Sequence, residues 1–325
     1  MKTLVLSMIS IAATVAAMTA CTSESDPINE INPQDGKTPI EFSSSIIGVQ
    51  TKAMSSDATK FDADDEIGIT MYKGDVEPTE AKLGTPFKSN VSFVVGSDQS
   101  KLSEKATDKT MFWDRTTKHY FYAYYPTTPN SNYTYTAASG NSAEKIMVTV
   151  PEDGNTTDLL MGKITTGLTF DGTAVNNANI QFSHKLSKIN FIFKKDKSFQ
   201  GTGKLSKITL NIENSSVTVD LVSQSATLGG TAIDISKSIS DETIDENSSN
   251  TTFTSWSPIV TPGTKVKSLK LTIDTKEIEA NNFTATLKEG SITTITIKLK
   301  GSGITELTTG ITDWADDQTG SGEII

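Results

Sequence analysis

The feature that most constrains this chain is a two-residue alternation of apolar and polar side chains along nearly its whole length. Ile40, Phe42, Ser44 and Ile46 alternate, as do Ile67, Ile69 and Met71, then Tyr120, Tyr122 and Tyr124. The pattern returns in Ile146, Val148 and Val150, in Ile189, Phe191 and Phe193, and in Ile208, Leu210 and Ile212. It runs on through Leu269, Leu271 and Ile273 to Ile295, Ile297 and Leu299. A period of two places the apolar residues on one face of an extended strand, whereas no helix-length window from residue 38 onward carries a 3.6-residue period. Strands at this spacing, separated by Gly, Asn, Asp and Pro clusters, predict an all-β fold of β-sandwiches. A chain of 325 residues has room for two domains. A boundary at His184 divides it into 38–184, which holds most of the aromatic residues, and 185–325, which is richer in Thr and Ile.

Charge and composition exclude several classes of function. Lys and Arg number 29 against 39 Asp and Glu, a formal net charge of −10. A nucleic-acid surface needs clustered cations, so no nucleic-acid partner is expected. One cysteine builds neither a disulfide framework nor a Cys-rich zinc site. The acidic run Asp62, Asp64, Asp65 and Glu66 lacks the Gly and Glu that a calcium loop requires, offering Ile67 and Lys73 in their places. His119 and His184, the two histidines, read as hydrogen-bonded structural residues. No Gly-x-Ser-x-Gly elbow is present, and no two carboxylates stand out as a glycosidase pair. The chain therefore reads as a non-enzyme with no catalytic, cofactor-binding or metal-binding residue. The cluster Phe112, Trp113, Tyr120, Phe121, Tyr122, Tyr124 and Tyr125 reads as core, with a carbohydrate-stacking platform as the alternative.

The N-terminus reads as a targeting segment. Lys2 precedes an apolar stretch from Leu4 to Ala17, and Met18-Thr19-Ala20-Cys21 follows. A short apolar run ending in small residues is a secretory signal, here residues 1–20, and is too short to span a bilayer. Ala20 followed by the sole cysteine resembles a bacterial lipobox, which makes Cys21 the lipidation site. Residues 21–37, polar and carrying Pro27 and Pro33, read as a flexible lipid-anchored tether. Glu24 and Asp26 are similar to the acidic signals that send lipoproteins to the outer face of the outer membrane.

Read in order, further landmarks carry a resemblance. Ile40-Glu41-Phe42-Ser43-Ser44 runs on to Thr51-Lys52-Ala53, then to Phe61-Asp62-Ala63-Asp64-Asp65-Glu66-Ile67-Gly68. Phe121-Tyr122-Ala123-Tyr124-Tyr125-Pro126, Asp158-Leu159-Leu160, Phe182-Ser183-His184-Lys185-Leu186-Ser187-Lys188 and Ile311-Thr312-Asp313-Trp314 follow. The series resembles the fimbrillin family, Mfa-like branch, the lipoprotein precursors of type V pili. The resemblance implies two tandem Greek-key, transthyretin-like sandwiches behind a lipoprotein signal and tether. It also implies an outer-membrane lipoprotein at the cell surface, destined for a fimbrium, that supports cell adhesion with other fimbrillin subunits as partners. Two departures stand out. Phe61 and Asp64 replace the Trp and Gly common in the family, and Lys52 stands where an Arg is often cut. The sole arginine, Arg115, lies within the first folded half, so Lys52 is the candidate processing site.

Assembly by strand exchange follows from that resemblance. Ile40 to Val49 reads as the first strand, with Ile40, Phe42 and Ile46 directed inward. Cutting after Lys52 would let this strand leave, exposing an apolar groove and unpaired sheet edges that a neighbouring subunit's strand can fill. Three such side chains, at ~1.5–3 kcal/mol each, make the exchange worth several kcal/mol before ordering costs. The candidate donor lies in Gly303 to Ile325 and carries Ile304, Leu307, Ile311 and Trp314. The alternative function, a glycan-binding lipoprotein of a polysaccharide-uptake system, requires solvent-facing aromatic side chains.

Overall fold

The structure, a computed structural model, describes residues 38–47, 60–106, 109–127, 131–170, 177–246, 252–280 and 283–314. The signal segment, Cys21, the tether and Lys52 lie outside the described residues. Regular structure among the described residues is almost entirely strand, as the alternation requires. The first half holds β1 (Glu41–Ile46), β2 (Glu66–Gly74), β3 (Lys88–Val95), β4 (Lys101–Glu104), β5 (Lys118–Tyr125), β6 (Tyr133–Thr136), β7 (Lys145–Thr149), β8 (Leu160–Leu168) and β9 (Asn177–His184).

Seven of these close on themselves in the order β1-β4-β3-β2-β5-β8-β9, the ring being sealed where β1 runs parallel to β9. The interior is apolar, with Phe42, Ile67, Ile69, Met71, Phe93, Phe121, Ile180 and Phe182 among its residues. The first half was expected to be a sandwich, and here the structure differs. Alternation tells that one face of a strand is buried, and is silent on whether that face meets a second sheet or the far side of its own. Gly162 helps the closure: a Cβ there would lie 2.6 Å from Ile180 Cγ2 and 2.8 Å from the Gln181 carbonyl, so only glycine lets β8 approach β9 this closely.

Strands β2 and β5 are buried on both faces. Their outward residues, Tyr72, Tyr120, Tyr122 and Tyr124, share a second core with Ile146, Val148, Val217 and Val219. The latter four sit on a separate sheet, β6-β7-β12-β13, where β12 is Ser216–Asp220 and β13 is Ala226–Gly229. That sheet takes strands from both sides of His184, so the two halves are joined by shared pairing and a shared core. By packing, Thr38–Ile325 is one unit. Within the seam the buried Glu144 carboxylate accepts hydrogen bonds from Thr70 Oγ1 (2.9 Å), Ser89 Oγ (2.9 Å) and the Tyr72 hydroxyl (3.3 Å). Three hydroxyl donors replace the water that burial removes. Burial, reinforced by the Glu144 charge, pushes the Tyr72 phenol well above its ordinary range.

The second half is completed by β10 (Ser187–Lys195), β11 (Lys204–Ile212), β14 (Ile233–Thr243), β15 (Thr252–Phe253), β16 (Ile259–Val260), β17 (Lys265–Ile273), β18 (Lys276–Ala280), β19 (Ala285–Thr286), β20 (Ser291–Lys300) and β21 (Gly303–Asp313). One sheet runs β15-β10-β20-β21, with β16 also on β10; the other runs β14-β11-β17-β18, with β19 on β17. Their inward residues, including Phe191, Ile297 and Leu299 from the first sheet and Ile208, Leu210 and Leu271 from the second, form a single core.

Candidate strand-exchange site

The first strand is a stave of the barrel wall, held on both sides. It pairs in parallel with β9 over six residues, from Glu41 opposite Asn177 to Ile46 opposite Phe182. On the other side it pairs antiparallel with β4 at only two positions, Phe42 with Leu102 and Ser43 with Lys101. Backbone hydrogen bonds beyond the ladders extend the grip. The Ile40 N–H donates to the Met111 carbonyl (2.9 Å), the Trp113 N–H to that of Thr38 (2.9 Å), and the Ile47 N–H to that of Phe182 (2.7 Å).

The alternation decides which side chains fill the barrel. Ile40, Phe42, Ser44 and Ile46 face inward and are buried, whereas Glu41 is exposed. Phe42 is 3% exposed and meets Phe93 and Phe121 edge-on, at 5.0 and 5.1 Å between ring centroids. Sequence reasoning singled out the three apolar members and passed over Ser44. Ser44 is buried beside the Ser100 carbonyl, which accepts its N–H at 2.8 Å and its hydroxyl at 3.3 Å. The signal was present as a polar residue at an inward position of the alternation. Outward, Ser43 exchanges hydrogen bonds with Asn179 (3.2 Å) and Asn177 (3.0 Å).

The C-terminal candidates fall on and just beyond β21, the last strand of its sheet, which pairs with β20 alone among the described residues. A bulge at Thr305 resolves their uneven spacing. Ile304 pairs with Leu299, Glu306 with Lys298 and Leu307 with Ile297, so Ile304 and Leu307 share a face despite being three apart. Both are half-buried against the core between the two sheets of the second half, but Ile311 on the same strand is 50% exposed. Trp314 is buried instead. Its indole stacks on the His184 imidazole at 4.6 Å and 3°, and the Trp314 backbone N–H donates to the Gly290 carbonyl (2.8 Å).

Landmarks scattered along the sequence meet at this end of the barrel. The Phe61 ring stands edge-on to Phe182 (5.0 Å) and Tyr125 (5.4 Å), and the Tyr125 hydroxyl donates to Asp65 (3.0 Å). The Asp158 carboxylate is hydrogen-bonded to His184 Nδ1, beneath the Trp314 stack. Burial holds the Asp158 carboxyl above the usual carboxylate range, and the His184 contact offsets part of that rise.

The aromatic cluster is largely interior. Trp113, Tyr120, Phe121, Tyr122 and Tyr124 are buried, as are Trp256 and Trp314, and Phe112 and Tyr125 are half-buried, so the buried rings offer no solvent-facing stacking platform. His119 is buried too. Its Nε2 accepts the Asp114 N–H (3.0 Å) and its Nδ1 faces the Leu168 carbonyl (3.3 Å), which fixes a neutral ring with the proton on Nδ1. Burial pulls its pKa below the ordinary histidine value.

A family profile described as fimbrillin-like matches residues 51–314, most of the chain. The chain belongs to the fimbrillin-like family. No curated protein matches it. Among solved structures, this fimbrillin-like chain is similar to a candidate cell adhesion protein from Bacteroides uniformis, with 19% identity, a TM-score of 0.58, and coverage of 87% of this chain and 99% of the other. A fimbrial protein from Bacteroides vulgatus gives 16% identity, a TM-score of 0.58, and coverage of 85% and 99%. A second candidate cell adhesion protein, from Bacteroides ovatus, gives 18%, 0.57, 86% and 98%. These likenesses establish a shared fold.

Proposed function

We propose that this chain is a structural subunit of a fimbrial polymer, exported as a lipoprotein through Cys21, displayed at the outer membrane and assembled by strand exchange to support cell adhesion. The observation that carries this reading is that β1 completes the apolar interior of the barrel while pairing with β4 at only two positions. A strand that lies between the tether and Lys52 in the sequence can be removed by one cut.

The physics then sets an order of events. Uncut, β1 is attached to its own barrel, so its effective concentration excludes a rival strand. Inward, β1 offers Ile40, Phe42 and Ile46, whereas β21 offers at most two large apolar residues at the same spacing, Leu307 and Ile311. The rival is the weaker occupant and enters only after β1 has gone. Cleavage at Lys52 would serve as the switch, and the two halves divided near His184 take separate roles, the front one receiving and the back one donating. The neighbours in structure include a fimbrial protein, which supports the same reading.

Limited digestion of the purified protein with trypsin, followed by size-exclusion chromatography and mass spectrometry, tests it. Loss of the segment before Ala53 should be accompanied by multimers, and removing residues from Ile304 onward should abolish them. A cut chain that stays monomeric, or polymer formed by the truncated one, refutes the corresponding step.

A further inference from the structure

Two strands near opposite ends of the folded unit carry the same seven-residue pattern. β1 with its preceding residue reads Ile40-Glu41-Phe42-Ser43-Ser44-Ser45-Ile46, and β21 contains Thr305-Glu306-Leu307-Thr308-Thr309-Gly310-Ile311. In this alignment the outward glutamates coincide, as do a large apolar residue, paired small hydroxyls and a closing isoleucine. Leu307 is smaller than Phe42 and Thr309 larger than Ser44, so the volume at these two inward positions is roughly conserved, whereas Thr305 leaves the Ile40 position without its large apolar side chain. The run Ile164-Thr165-Thr166-Gly167-Leu168 has a similar alternation, but it lies in β8, paired with β5, and is itself part of the receiving barrel wall.

The barrel wall discriminates between registers. A slip of one residue would turn Leu307 and Ile311 outward. Slipping by two would drive Leu307 or Ile311 into the niche of Ser44, against the Ser100 carbonyl. It would also leave a threonine, Thr305 or Thr309, at the station where Phe42 meets Phe93 and Phe121. β21 also gains from the move. Ile311 is 50% exposed where it stands, while the station of Ile46 is 8% exposed.

Building on the strand-exchange reading above, we infer that the groove left by β1 accepts β21 of a second copy in one register. Leu307 replaces Phe42, Thr309 replaces Ser44 and Ile311 replaces Ile46, with the Ser44 niche fixing the alignment. Thr308 then takes the place of Ser43, opposite Asn179 of β9.

Cysteine pairs on the exposed faces test this, because the native Cys21 precedes Lys52 and leaves with the excised segment. Asn179→Cys with Thr308→Cys should give a reducible ladder of covalent multimers after cleavage and mild oxidation. The flanking pairs Asn177→Cys with Thr308→Cys and Gln181→Cys with Thr308→Cys should give none, though all three polymerise under reducing conditions. A ladder of equal or greater yield from a flanking pair overturns the register and leaves strand exchange standing. Absence of polymer and ladder from every pair overturns both. As an independent check, Thr309→Ser should keep the Asn179 ladder and Thr309→Leu should lose it; an unchanged ladder in the leucine variant removes the niche as its cause.

Discussion

The Phe42 ring stands edge-on against Phe121, 5.1 Å between centroids and 84° between planes, so the first strand meets β5, on the opposite side of the barrel, through the core. Truncating Phe42 removes that contact and the matching one to Phe93. In the uncut protein, Phe42→Ala should cost about 3–5 kcal/mol. Urea unfolding at neutral pH measures it. A loss below about 1 kcal/mol, typical of surface positions, would mean that β1 adds little to the interior.

Processing is a separate question. Lys52→Ala should leave the surface protein longer by mass spectrometry and keep it out of polymer, because β1 stays attached to its groove. An unchanged mature N-terminus in this variant would exclude Lys52 as the processing site.

The buried His119 gives a pH signature. Its pKa lies below the unfolded value of about 6.5, because burial disfavours the charged ring, so the folded state binds fewer protons than the unfolded one beneath that pH. The stability contributed by the neutral ring is therefore fully present above about pH 6.5 and is lost as pH falls toward the folded pKa. In an NMR titration of the two imidazoles, the resonance missing from His119→Gln should have a midpoint below 6.5. A midpoint at or above that value contradicts the burial argument.

The strand faces were legible in the sequence because side-chain parity is a local property. Ile40, Phe42 and Ile46 point inward as the alternation requires, and the tyrosines of β5 are core residues. What parity cannot carry is partnership. β1 pairs with β9, more than a hundred residues away, and that parallel contact turns an open layer into a closed wall. The double burial of β2 and β5 depends on a sheet that recruits β12 and β13 from beyond His184. Likewise the uneven spacing of Ile304 and Leu307 makes sense only with the bulge at Thr305, which the partner strand reveals. Ser44 is marked in the sequence only as a polar residue at an inward position, and its partner, the Ser100 carbonyl, comes from the neighbouring β4 segment more than fifty residues away.

The most direct test of the account is N-terminal mapping, by mass spectrometry, of polymer sheared from intact cells. The account predicts subunits that begin at Ala53, with no peptide containing Phe42. Polymerised subunits that retain residues 38–46 would contradict it, since the groove would then still be filled by its own strand.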